Sequence, residues 1–139
     1  MKIMAALDQS KHAVGILEKA AQQAKMCGGE LSILVVAEDF MDIGDYLGES
    51  ASISEKCLAA AKVAVADYAA RAKALGIEAK ILLEQGVSPA DLIVKVAEDN
   101  KIDLLVLGSR TKKGLDRFLI GSVASKVVAH APCSVLVVR

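Results

Sequence analysis

The chain has 139 residues, of which 54% are hydrophobic and only 3% aromatic, with 17 basic residues against 17 acidic ones. That length favours one domain, residues 1–139, whose core of Ala, Val, Ile and Leu is large enough to fold without staples. Zero net charge removes the basic excess that non-specific nucleic-acid binding needs, and no apolar run approaches the roughly 18 residues of a membrane span.

Asp8 interrupts the N-terminal apolar run too early for a signal-peptide core, so no membrane association and a cytoplasmic location are expected. Cys27, Cys57 and Cys133 are odd in number and far apart, with no CxxC spacing. They read as buried free thiols, not metal ligands.

Ile3 to Leu7 is a short apolar run and reads as a strand buried on both faces. Ser10 suits a helix N-cap, with Val14, Leu17, Ala21 and Ala24 at helical spacing and Gly28-Gly29 as the stop. Leu31 to Ala37 is a second strand. Strand, helix, strand is the signature of a parallel βαβ unit.

Glu38 to Ser54 is irregular and acidic, carrying Glu38, Asp39, Asp42, Asp45 and Glu49. It fits a solvated loop, or a lid or cation-holding rim. A long amphipathic helix follows from about Ser54 to Leu75, with Cys57, Ala61, Val65, Tyr68, Ala72 and Leu75 on one face and Gly76 closing it. Ala79 to Glu84 is a strand placed near an edge, because it carries Lys80 and Glu84.

Ser88-Pro89-Ala90-Asp91 spells a helix start: Ser88 at the cap, Pro89 at the first position, Asp91 placed to reach back. Asn100 is the expected stop. Ile102 to Leu107 is the fourth strand, placed centrally. Gly121 to Ala129 is the last helix, ended by Ala131-Pro132, and Ser134 to Val138 is the fifth strand, at a sheet edge. The alternation specifies an open, doubly wound parallel five-stranded α/β sheet with helices on both faces.

In such sheets ligands bind beyond the carboxyl ends of the strands. Three loops converge there, carrying Asp8, Val36 to Glu38, and the stretch from Gly108. Gly108 suits a turn, a positive φ or a close approach. Gly121 and Ser122 open a helix whose free amides attract anions, and Arg110, Lys112, Lys113 and Arg117 lie between. Ser122 serves equally as a plain cap. Asp8 fits both a turn-former and an acceptor for ribose hydroxyls. There is no GxxxxGK[ST] and no GxGxxG after the first strand, and His12 and His130 are isolated, so no catalytic constellation is present.

Four pieces together resemble the universal stress protein family, of adenine-nucleotide α-hydrolase-like fold. They are Ile3 to Ser10, Gly86-Val-Ser-Pro89, Asp103 to Ser109, and Gly121 to Ser125 continuing through Ala131 to Val138. The resemblance implies a Rossmann-like sheet of order 3-2-1-4-5 and a homodimer formed through the strand Ser134 to Val138. It also implies ATP or AMP binding, with or without Mg, through a glycine, two residues, glycine, nine residues, glycine, Ser/Thr pattern.

Gly108 matches the first glycine of that pattern, and Gly121 and Ser122 the last pair, with Lys112 to Ile120 between. Thr111 replaces the second glycine, which a positive φ would disfavour. By this likeness Ala6, Asp8 and Val36 would line the adenine and ribose end, and Leu107 would lie beneath the base. The amides of Ser109, Arg110, Thr111, Ser122 and Val123 would face the phosphates. The function so implied is a stress-response regulatory module. The alternatives are a non-nucleotide-binding dimeric interaction protein of the same fold and a slow ATP hydrolase.

Overall fold

The computed structural model describes residues 1–38, 50–109 and 120–139, with the backbone alone for 50–52. Of the expected acidic loop from Glu38 to Ser54, residues 39–49 lie outside the described residues, Glu38 ends a strand and residues 50–54 are helical instead. The described elements are β1 (Lys2–Leu7), α1 (Ala13–Cys27), β2 (Glu30–Glu38), α2 (Ser50–Ala74), β3 (Ala79–Gly86), α3 (Pro89–Asp99), β4 (Leu104–Gly108), α4 (Ser122–His130) and β5 (Ser134–Val138).

The strands form one parallel sheet in the order β3-β2-β1-β4-β5, as the resemblance implies. β1 holds the centre, with Ile3, Met4 and Ala5 fully buried. Its neighbours are β2, in a register that sets Ala5 opposite Ile33, and β4, which sets Ala5 opposite Val106. β3 and β5 form the two edges.

Alternation along the strands divides the core into two layers. Ile3, Ala5, Leu7, Ile33, Val35 and Val106 pack under α1 and α2. Met4, Leu34, Leu105 and Leu107 pack under α3 and α4. The helices meet the first layer with many alanines, among them Ala13, Ala20, Ala21 and Ala24 of α1, beside the larger Ile16, Leu17, Val65 and Tyr68. Aliphatic strand residues therefore fill the space that aromatic rings occupy in other cores.

Helix ends follow local chemistry where it is uncontested. Ser88 caps α3, accepting from the amide of Asp91 at 3.5 Å, with Pro89 at the first position. Gly28 (φ 63°) and Gly76 (φ 90°) take the left-handed conformation that closes α1 and α2. At the end of α3 the helix stops where expected, its last residue being Asp99. Asn100 takes the cap position and its side chain donates to the Val96 carbonyl at 2.8 Å. The left-handed residue is Lys101 (φ 53°).

The start of α1 moves by two residues. Asp8 accepts from the amide of Ser10 at 2.9 Å, and the hydroxyl of Ser10 accepts from that of His12 at 3.3 Å. Two side-chain turns thus precede the helix, and His12 sits at the cap position without a side-chain cap. α2 begins at Ser50, earlier than its apolar pattern. The three thiols are free, but none is fully buried: Cys27 is exposed at the end of α1, and Cys57 and Cys133 are half-buried. Among the described residues no helix is long and apolar enough to cross a membrane.

Candidate functional site

Strand order reverses between β1 and β4: the chain builds outward from β1 through β2 to β3, then returns to β4. A crevice opens beyond the carboxyl ends at such a point. β1 ends in Ala6-Leu7 and is followed by Asp8; β4 ends in Leu107-Gly108 and is followed by Ser109. Ala6, Val36 and Leu107 come from three different strands yet belong to the same layer, under α3 and α4. Ala6 and Val36 are half-buried and Leu107 is buried. The sheet thus presents a small apolar floor on one face at its carboxyl end.

Backbone bonds tie that floor to the start of α4. Ser109, a buried polar residue, donates its amide to the Val138 carbonyl at 2.9 Å. Its carbonyl accepts from the amide of Gly121, also at 2.9 Å. Gly121 occupies the cap position of α4, and no side chain caps this end. The first turn contains no acid, and Ser122 and Val123 are exposed. Uncapped amides at the positive end of the helix dipole attract an anion. Arg110, Thr111, Lys112, Lys113 and Arg117 lie outside the described residues.

Gly108 does not carry a positive φ. A Cβ built there would lie 2.6 Å from Cδ1 of Ile16, so α1 packs close against the strand end and a side chain at 108 would have to displace that methyl. Gly108→Ala is expected to cost about 1–2 kcal/mol through overpacking. In an Ile16→Val background, which lacks that methyl, the cost should fall by about 1 kcal/mol, as urea unfolding of the four proteins would show. Equal costs in both backgrounds would contradict the packing explanation.

Asp8 is exposed at the exit of β1. Its backbone carbonyl accepts from the hydroxyl of Tyr68 at 2.6 Å. Tyr68, read from the sequence as part of an apolar face, is 6% exposed. Burial first, then the charges of Asp8 and Asp67, push its phenol above the usual tyrosine value, with Arg71 opposing. A raised acid favours folding below the unfolded pKa of about 10, and that contribution is lost as pH rises through the folded value. Stability should therefore decline above pH ~10 in the wild type and decline less in Tyr68→Phe, followed by denaturant melts at stepped pH.

A surface brace joins the two helices above the floor. Asp91 of α3 accepts from Lys126 of α4 at 2.9 Å. Lys126, then the Ser88 hydroxyl, holds the Asp91 carboxyl below its ordinary range. Both partners are exposed, so the pair aligns the helices more than it stabilises them. Two shallow grooves of about 180 and 300 Å³ lie between α1 and α2, lined by residues such as Glu18, Arg71 and Leu75. They occupy the opposite face of the sheet from Ala6, Val36 and Leu107. Among the described residues no group of His, Cys, Asp or Glu side chains converges as a metal site.

The model of the universal stress protein family matches residues 1–139. The chain belongs to the universal stress protein family. It is similar to a universal stress protein of Methanocaldococcus jannaschii, 34% identical over 138 residues, covering 96% of this chain and 74% of that one. Its fold is similar to a solved universal stress protein of Lactobacillus plantarum, with TM-score 0.85, 27% identity and coverage of 100% of this chain and 97% of the other. A third is the universal stress protein of Archaeoglobus fulgidus, solved in complex with dAMP. There the TM-score is 0.65 and the identity 26%, over 100% of this chain and 98% of that one.

Proposed function

We propose that this universal stress protein is an adenine-nucleotide-binding regulatory module that works as a homodimer in the stress response. The observation that carries the reading is the shared face. Ala6, Val36 and Leu107, from three strands, form an apolar floor directly beside the uncapped start of α4. That pairs a surface for a flat base with a site for phosphate, joined through the bond between Ser109 and Gly121. The solved relative in complex with dAMP supports the same ligand class.

In this reading the base lies over Leu107, bordered by Ala6 and Val36. Asp8 accepts from ribose hydroxyls. The amides of Ser109, Arg110, Thr111, Ser122 and Val123 receive the phosphates, with Gly108 and Gly121 holding the two ends of that loop. Magnesium, where ATP is the ligand, arrives with the triphosphate. The edge strand Ser134–Val138 carries four half-buried aliphatic residues, Val135, Leu136, Val137 and Val138, which suits pairing with a second copy.

Calorimetric titration with AMP, and with ATP with and without magnesium, tests the ligand. Saturable heat with a Kd in the micromolar range is expected, and ligand at about 100 times Kd should stabilise the fold by about 2.7 kcal/mol. Neither heat nor a thermal shift at millimolar AMP and ATP would remove the nucleotide reading. Binding of AMP without ATP would leave it standing and assign the exclusion of the triphosphate to Thr111. Light scattering tests the dimer; a monomer at micromolar concentration counts against edge pairing.

A further inference from the structure

We infer that Tyr68 is a positioning residue of the nucleotide site, fixing through its hydroxyl the turn that presents the Asp8 carboxylate. The inference rests on the nucleotide reading and adds to it a residue 60 positions away in sequence, on a helix from the opposite face of the sheet.

The buried face of α2 is otherwise aliphatic: Ala61, Val65 and Ala72, with Leu58 and Ala64 beside them. A phenylalanine would fill the space of the Tyr68 ring. The hydroxyl adds a desolvation penalty unless it finds a partner. It finds one in the Asp8 carbonyl, at 2.6 Å. That carbonyl is the first past the ladder, since pairing of β1 with β2 ends at Leu7 and Val35. Each group thus supplies the other with the bond that the sheet no longer provides.

The contact also crosses elements. α2 packs chiefly on β2 and β3, not on β1. The Tyr68 hydroxyl is the reach by which α2 holds the exit of the central strand. From that fixed carbonyl the Asp8 side chain turns back, and Oδ1 accepts from the Ser10 amide at 2.9 Å. Among the described residues no donor engages Oδ2. One carboxylate oxygen is therefore tied to the turn, and the other is held out for a ligand hydroxyl. With carbonyl and Oδ1 both fixed, the direction of Oδ2 follows. Without the tyrosine hydroxyl only the Ser10 amide restrains it.

A positioning role makes a prediction that plain packing does not. Only ligands with ribose hydroxyls should register the loss. Wild type is expected to bind AMP more tightly than 2′,3′-dideoxy-AMP in calorimetric titrations. Tyr68→Phe should weaken AMP about 5-fold to 10-fold and leave dideoxy-AMP within about 2-fold. In an Asp8→Ala background the same change should have no further effect on AMP. A second readout leaves Tyr68 in place: in 3-fluorotyrosine-labelled protein, the Tyr68 fluorine signal should shift with AMP and not with dideoxy-AMP, with Tyr46→Phe identifying the other tyrosine.

Equal weakening of both ligands by Tyr68→Phe, no weakening of AMP, or a fluorine signal indifferent to the ribose hydroxyls would overturn the inference while the nucleotide reading stands. So would wild type binding the two ligands equally. Wild type binding neither would overturn both.

Discussion

Ser122→Asp is expected to weaken AMP and ATP binding about 10-fold to 100-fold while leaving the melting temperature unchanged or slightly raised. The two effects have opposite signs because the helix start and the ligand compete for one charge. Ser122 is the first residue of α4, exposed, in a turn that contains no acid. A carboxylate there complements the helix dipole, worth about 0.3–1 kcal/mol to the folded chain. It also lies where phosphate oxygens would sit. Two like charges 4 Å apart repel by about 4 kcal/mol at an effective dielectric of 20, and solvent exposure reduces this to about 1.4–2.7 kcal/mol. Ser122→Ala, which removes only the hydroxyl, should change affinity a few-fold at most. Loss of affinity accompanied by a lower melting temperature would point to misfolding of α4 instead.

Ile33→Ala is expected to destabilise the fold by about 3–5 kcal/mol, the upper half of the range for such truncations. Ile33 is fully buried in β2 and supplies the bulk of its row. Its partner on β1 is Ala5, and its partner on β3 is Ile81, which is 47% exposed. Above β2 lies α2, which meets the layer with Ala61, Val65, Tyr68 and Ala72. The surrounding close-packed layer relaxes only in part, so a cavity remains. Ile81→Ala, in the same row but at the edge, should cost about 1 kcal/mol or less. Urea midpoints for the two variants give the comparison, and similar losses for both would contradict the layer description.

Much of this molecule is legible in its sequence because the signals are local or periodic. The start of α3 follows from Ser88 and Pro89, whose chemistry acts within one turn. The five strands follow from short aliphatic runs bounded by polar residues or glycine, and the parallel order from their alternation with helices. The start of α1 does not follow, although Ser10 is a good capping residue. Asp8 and Ser10 each turn the backbone two residues on, and these local bonds compete with the helix they precede. Periodicity likewise cannot foresee Lys101 in the left-handed position, since Asn100 beside it is the better former.

The candidate site divides in the same way. That Ala6, Val36 and Leu107 share a face is arithmetic on strand alternation once the order is known. The close packing at position 108 is not readable, because the atom that crowds a side chain there belongs to Ile16, far away in the sequence. Tyr68 is hidden for a similar reason. Its spacing places it on an apolar stripe, and nothing local says that its hydroxyl ends at the Asp8 carbonyl. Contacts between residues distant in sequence decide both, and a single sequence does not record them.

The central claim is that an adenine nucleotide sits on the α3/α4 side of the sheet, between the strand ends and the start of α4. Amide chemical-shift mapping of the ¹⁵N-labelled chain with AMP tests it most directly. The account predicts saturable shifts at Ala6, Asp8, Val36, Gly108, Ser109, Gly121, Ser122 and Val123, with Glu18, Ala74 and Leu75 unmoved. Shifts centred on the groove between α1 and α2, with Ser109 and Ser122 silent, would contradict it.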